Sequence, residues 1–201
     1  MSNLTTGSLL QFRSAAGVLA RVGKEIRLRD GFKLRLRELR FDDRLRLKAF
    51  FERCSDESIR RRFFRRMGEF PESLLDHLLA VDGKQHVVLI ATLGEGESEE
   101  IVAEGRAAAI SGSPQIADVA FLVQDELQRR GIATLLFDEL TTLACRAGFT
   151  QFNADVLADN YAMLALIRKT GRRISSAISQ GVVHLEIPLT CEGAFALPKA
   201  A

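Results

Sequence analysis

No apolar run in this 201-residue sequence approaches the roughly 18 consecutive residues of a membrane span. Cysteine is scarce. Cys54, Cys145 and Cys191 are an odd set without C-x-x-C spacing, which argues against a zinc site or disulfide framework and for a reducing cytoplasm. An excess of one charge is also lacking: 28 basic against 26 acidic residues leave a formal net charge of +2. A balance so near neutral does not by itself predict a nucleic-acid or membrane partner. His77 and His86 lack metal-ligand spacing with any cysteine or acid, and His184 lies in a terminal strand, so no metal is expected. No internal repeat or low-complexity block is visible.

What is present is core material. Hydrophobic residues make up 47% and charged residues 27%, enough for a domain that holds together without a covalent staple. The expected organisation is an N-terminal arm at 1–24, one domain at 25–190 and a tail at 191–201. The arm carries Arg13, Arg21 and Lys24 but no acid, and its short apolar stretches, broken by Arg13, argue against a secretory leader. It is expected to be a loosely held arm or short helix.

Within the domain, residues 25–30 and 32–39 flank Gly31 as a hairpin, with Leu34 and Leu36 alternating against Lys33, Arg35 and Arg37. Asp42 or Asp43 is placed to cap a helix bearing Leu47, Phe50, Phe51 and Cys54. Ser55 starts a second helix, and Pro71 suits the first turn of a third, striped by Leu74, Leu75, Leu78 and Leu79. A meander follows at 86–93, 101–109 and 116–123. Then come a helix at 132–147, a strand at 152–157, a helix at 161–170 and a hairpin near 174–189. Gly148 and Gly171 sit where helix ends need a left-handed residue. The fold class is α/β (α+β), a mixed, mostly antiparallel central sheet flanked by helices.

The chemically informative stretch is the junction 123–134. A strand ends, a polar loop containing Gly131 follows, and an amphipathic helix begins with Ile132, Leu135, Leu136, Leu140 and Leu143 on its buried face. Free amides and the positive dipole end of such a helix form an anion site. Gly131 and the slim Ala133 allow close backbone approach, and Arg129 and Arg130 add charge. The pattern predicts a pyrophosphate cradle.

Gln128-x-x-Gly131-x-Ala133 resembles the Q/R-x-x-G-x-G/A signature of the GNAT acetyltransferases. Asp155-Val156-Leu157-Ala158-Asp159-Asn160, Met163-Leu164 and Lys169-Thr170-Gly171 are similar to that family's later strand, asparagine and helix. Segments 34–43, 55–64 and 117–121 look like the GNAT domains of bacterial protein lysine acetyltransferases that modify acyl-CoA synthetases. The resemblance covers about residues 25–189. It implies acetyl-CoA as cosubstrate. Backbone at Leu122 and Val123 would pair with the pantetheine arm, and amides across Arg129, Arg130, Gly131, Ile132, Ala133 and Thr134, after Gln128, would hold the pyrophosphate. Asn160 and Met163 would contact the cosubstrate from the other side of a splayed sheet. The implied partner is an amine acceptor, an acyl-CoA synthetase or another protein.

Asp118 is the candidate general base, because an aspartate interrupting an apolar strand needs a reason to be there. It shares a strand face with Ala120 and Leu122. Where the lysine-acetylating subgroup usually has glutamate, it is one methylene shorter. A structural pairing with Arg106 on the neighbouring strand is the alternative. Ile167 stands where many GNATs have an acidic tyrosine, and the only tyrosine is Tyr161. Acetylation of a small-molecule amine, or acyl-CoA binding without turnover, are the competing functions. In the run Arg60–Arg66 the expectation is that Phe63 and Phe64 pack inward while the arginines face solvent or an acidic substrate surface, not nucleic acid.

Overall fold

The computed structural model describes residue 23, residues 25–170 and residues 172–191. The other arm and tail residues, and the helix-ending role expected of Gly171, lie outside the described residues. The elements are β1 (Glu25–Arg27), β2 (Lys33–Glu38), α1 (Arg44–Arg53), α2 (Asp56–Phe63), α3 (Glu72–Leu79), β3 (His86–Leu93), β4 (Glu100–Ile110) and β5 (Ser113–Val123). After these come α4 (Ile132–Ala147), β6 (Gln151–Leu157), α5 (Tyr161–Lys169), β7 (Ser175–Ser179) and β8 (Val182–Pro188). The strands form one eight-stranded sheet in the order β1-β2-β3-β4-β5-β6-β8-β7. Only β5 and β6 pair in parallel; every other neighbour is antiparallel. This is the α/β fold expected.

Two cores form because the central strands are apolar on both faces. On one face Ile132, Leu136, Phe137 and Leu140 of α4 pack against Ala103, Ala107, Val119 and Phe121. A Cβ at Gly105 would stand 2.7 Å from the Phe121 ring, so only glycine admits that ring beneath α4. On the other face Leu47, Phe50 and Phe51 of α1, Ile59 of α2 and Leu75, Leu78 and Leu79 of α3 cover Val88, Ile90, Ile101 and Leu122.

Local capping partly differs from expectation. Ser55 does cap α2, accepting from the Ser58 amide at 3.2 Å. Asp43 makes no cap bond to α1 and accepts instead from Arg37 at 2.6 and 2.7 Å inside the protein. A buried guanidinium is a stronger partner than an amide. Pro71 precedes the first turn of α3 as its N-cap. Phe63 packs among Phe51 and Phe70, but Phe64 takes a left-handed conformation (φ 60°) that ends α2 and turns its ring outward, 43% exposed.

A larger correction concerns cysteine. Cys145, near the end of α4, is bonded to Cys191 just after β8. Forty-six positions separate them in sequence, but β6 and β8 bring the chain back beside α4. The odd count hid a pair plus a free, buried Cys54.

Candidate active site

The parallel β5–β6 pairing includes Ile116↔Gln151 and Ala117↔Phe152 and stops at Asp118↔Asn153. Beyond that point β5 continues to Val123 and β6 to Leu157, each bonded only on its other side, to β4 and β8. The two strand ends therefore splay, leaving unpaired backbone along the inner edge of β5. Leu122 and Val123 lie on this stretch with buried side chains, facing Glu104 and Ala103 of β4. An extended amide-bearing arm entering the gap would meet main-chain donors and acceptors there.

The loop after β5 delivers the chain to α4. Gln128 turns its side chain inward, donating to Val123 O and Ser58 Oγ, both at 3.1 Å. It shapes the loop from beneath. Asp125, which the sequence reading did not single out, accepts from the Ser55 amide (2.8 Å), Ser55 Oγ (2.7 Å) and Ser58 Oγ (2.8 Å). Burial opposes its charge, yet these donors outweigh it and hold its carboxyl below the usual range. The knot fixes the start of α2 to the loop.

Arg129 (φ 63°) and Gly131 (φ 89°) both adopt left-handed backbone before the helix. A Cβ on Gly131 would meet nothing within 4 Å, so the requirement for glycine is conformational and the space above it is open. The α4 ladder begins with the Leu135 amide bonding Gly131 O at 3.0 Å. The amides of Ile132, Ala133 and Thr134 thus precede it and point out of the helix end. Arg129 is exposed beside them. Arg130 instead binds Asp30 at 3.0 Å and lies over the Phe32 ring, clamping the β1–β2 hairpin to the loop. Donor set, charge and open space fit a pyrophosphate.

Across the gap, Asn160 accepts from the Met163 amide at 3.2 Å as the cap of α5, with Met163 half-buried one turn on. The neighbouring Asp159 binds Arg60 of α2 at 2.6 Å. Of the basic run, Arg60 and Arg61 pair with Glu57 at 2.8 Å and Arg62 faces Glu104 at 3.7 Å. These three cations already have protein partners.

Asp118 stands at the crotch of the splay, exposed, on the face that α2 covers farther along β5. The alternative pairing with Arg106 is overturned: Arg106 lies opposite Ala120 and donates to Glu104 at 2.8 Å and to Leu78 O and His86 Nε2. Surrounding protein pushes the Asp118 carboxyl above its ordinary range, with Asp155 adding and Arg62 opposing. Beyond Asp118 the same face of β6, β8 and β7 carries Asp155, His184, Glu186 and Ala177, all exposed. Asp155 meets His184 Nδ1 at 2.6 Å. The sequence reading missed Glu104, wholly buried in β4; its signal was Glu-Gly-Arg inside an apolar strand, which puts acid and base on one face.

Comparison with known proteins agrees with this geometry. The acetyltransferase (GNAT) family model matches residues 45–171. The acetyltransferase Pat of Mycolicibacterium smegmatis is 35% identical over 117 residues, 58% of this chain but 34% of that protein. The chain thus spans about a third of that relative's length. An acetyltransferase of Pseudomonas aeruginosa is 33% identical over 139 residues, 68% of this chain and 73% of that one. The crystal structure of the GNAT domain of S. lividans PAT superposes with a TM-score of 0.75 at 34% identity, covering 83% of this chain and 96% of that one. With the splayed β5–β6 pair and the glycine-started α4 already in place, the chain belongs to the GNAT family and is a GNAT-type N-acetyltransferase.

Proposed function

We propose that the protein transfers acetyl from acetyl-CoA to a lysine side chain of another protein, by direct attack within a ternary complex. One observation carries the choice of a protein acceptor. Asp118 opens onto a strand face that carries exposed Asp155, His184, Glu186 and Ala177 across β6, β8 and β7, where a broad surface can dock. A small metabolite calls for an enclosed pocket around the base.

The α4 amides and Arg129 hold the pyrophosphate, Gln128 keeps the loop in shape, and the pantetheine arm lies along Leu122 and Val123 with Asn160 and Met163 opposite. A lysine ammonium has a reference pKa near 10.4, so reaching the free amine at pH 7 costs roughly 4.6 kcal/mol. Asp118 takes that proton, directly or through one water. The amine nitrogen then bonds to the thioester carbon, and β5 amides in the gap stabilise the oxygen as it gains charge. The carbon–sulfur bond breaks, coenzyme A leaves as thiolate, and the second nitrogen proton passes to thiolate or solvent. An acyl-CoA synthetase is one acceptor of the required kind, and the cytoplasm is proposed as the place of reaction.

The test is to incubate the protein with labelled acetyl-CoA and a cell lysate and map the label. Label on lysine side chains of proteins, lost with Asp118→Asn, is the expected result. Label confined to small amines overturns the protein acceptor. Failure of acetyl-CoA to raise the melting temperature overturns cosubstrate binding itself.

A further inference from the structure

Most acids around the splay already hold an arginine. Glu57 binds Arg60 and Arg61, Asp159 binds Arg60, and Glu104 binds Arg106. Asp155 differs. Among the described residues its one side-chain contact is His184, which donates from Nδ1 to Asp155 Oδ1 at 2.6 Å and leaves Oδ2 without a partner. An ionised carboxylate can only accept, so Nδ1 carries the proton of this bond.

The strand register fixes where Asp155 stands. Asp118 lies opposite Asn153, the last paired position of β5 and β6. Asp155 is two residues further, on the same face by alternation, where β6 has already parted from β5. It therefore lines the far wall of the gap, diagonal to Asp118, while Ala120 and Leu122 follow Asp118 on the near wall. His184 stands directly opposite Asp155 on β8, on the side away from the gap. Binding one oxygen from that side turns the other, Oδ2, back toward the gap. An exposed aspartate would otherwise rotate freely; here the imidazole holds it in one orientation.

We propose that Asp155 receives the lysine ammonium of the acceptor at the gap, and that His184 is the positioning residue that aims its carboxylate. The proposal rests on reading the acceptor as a lysine side chain. Asp155 Oδ2 accepts a hydrogen bond from the ammonium, and Asp118, farther into the crotch, removes the proton. Asp155 itself gains and loses none. Its like charge adds to the upward push on the Asp118 carboxyl, and the arriving ammonium supplies the cation that Asp155 lacks. The same carboxylate discriminates against acceptors without a positive charge.

The test is steady-state transfer, read as released thiol, to an N-terminally blocked peptide whose only cation is one lysine. Wild type is compared with Asp155→Asn, Asp155→Glu, His184→Ala and His184→Asn. With Asp155→Asn, KM for the peptide should rise at least about threefold while KM for acetyl-CoA holds, and Asp155→Glu should restore most of the loss. His184→Ala should raise KM for the peptide by a smaller factor. His184→Asn should reverse that rise, because its amide can donate where Nδ1 does. Added salt should weaken peptide binding more in the wild type than in Asp155→Asn. An unchanged KM for the peptide in Asp155→Asn overturns the proposal, and so does a rise that Asp155→Glu fails to reverse. Wild-type behaviour of His184→Ala overturns the positioning role. Wild-type protein that acetylates small amines and leaves lysine peptides untouched overturns the lysine reading instead, whatever the variants do.

Discussion

Asp118 and Glu104 lie on adjacent strands and one face of the sheet, yet their surroundings push their protons in opposite directions. Burial alone would raise Glu104, but Arg106 and Arg62 outweigh it and hold the carboxyl below its ordinary range. Its folded pKa is depressed, so the stabilisation it contributes is present above the unfolded carboxylate pKa and lost as pH falls through the folded one. Glu104→Ala leaves two buried guanidinium groups uncompensated and is expected to cost about 3–5 kcal/mol by urea unfolding at pH 7. Glu95, exposed and paired with Arg35, should cost under about 1 kcal/mol when replaced. Asp118 has the reverse sign. Its folded pKa is raised, so the wild type loses stability as pH rises through that range. Asp118→Asn should therefore melt higher than the wild type at neutral pH, with the gain vanishing in acid, while acetyl transfer falls about 10²–10⁴-fold. A variant that loses both activity and melting temperature at pH 7 would count against this account.

At the scale of elements, α4 was the most legible part of the chain. Its bounds, Ile132–Ala147, coincide with those the apolar spacing and Gly148 predict, because a long helix over a core needs its stripe in phase. The hairpin about Gly31 and the meander were legible for the same reason, with period two in place of 3.6. What escaped depends on distant partners. Asp43 lies next to a helix start, and nothing local says that Arg37, which it shares with Glu99, will claim it. Phe64 belongs to a basic run whose registration depends on where α2 stops. The Arg130 side chain binds Asp30, a hundred residues away, and no local pattern announces that partner. Gly131 was legible and permits a direct test. At φ 89° an L-residue costs about 1–2 kcal/mol, and relaxing the backbone moves the amides of Ile132, Ala133 and Thr134. Gly131→Ala should lower the melting temperature modestly and lose most of the further rise that acetyl-CoA brings. An unchanged ligand-induced shift would show that the cradle does not depend on this residue.

At the scale of the molecule, the sheet is two halves joined by a short parallel pairing, and the covalent link ties the end of α4, a helix packed on β3 and β4, to the chain just after β8. The Cys145–Cys191 bond closes a loop that contains β6, α5, β7 and β8, the entire half beyond the splay. Counting cysteines could not reveal it, since the pairing exists only once β8 has returned beside α4. Cross-linking 46 positions apart restricts the unfolded chain by up to about 4 kcal/mol in the chain-entropy account. The Phe149 carbonyl within 3.6 Å of Cys191 Sγ keeps the bond packed against the end of α4, and Ile132 lies about 20 Å away along the helix axis. Reduction should therefore act on stability and spare the cradle. The expected result is a melting temperature lower by several degrees under reductant, reproduced by Cys191→Ser without reductant, with acetyl-CoA affinity changed less than about twofold. In a reducing compartment the bond would open, and the protein would work from the less stable side of that difference. If Cys191→Ser melts with the oxidised wild type, the bond contributes nothing, and the half-sheet beyond the splay is held by Phe149, Phe152 and Ile187 packed in the core under α4.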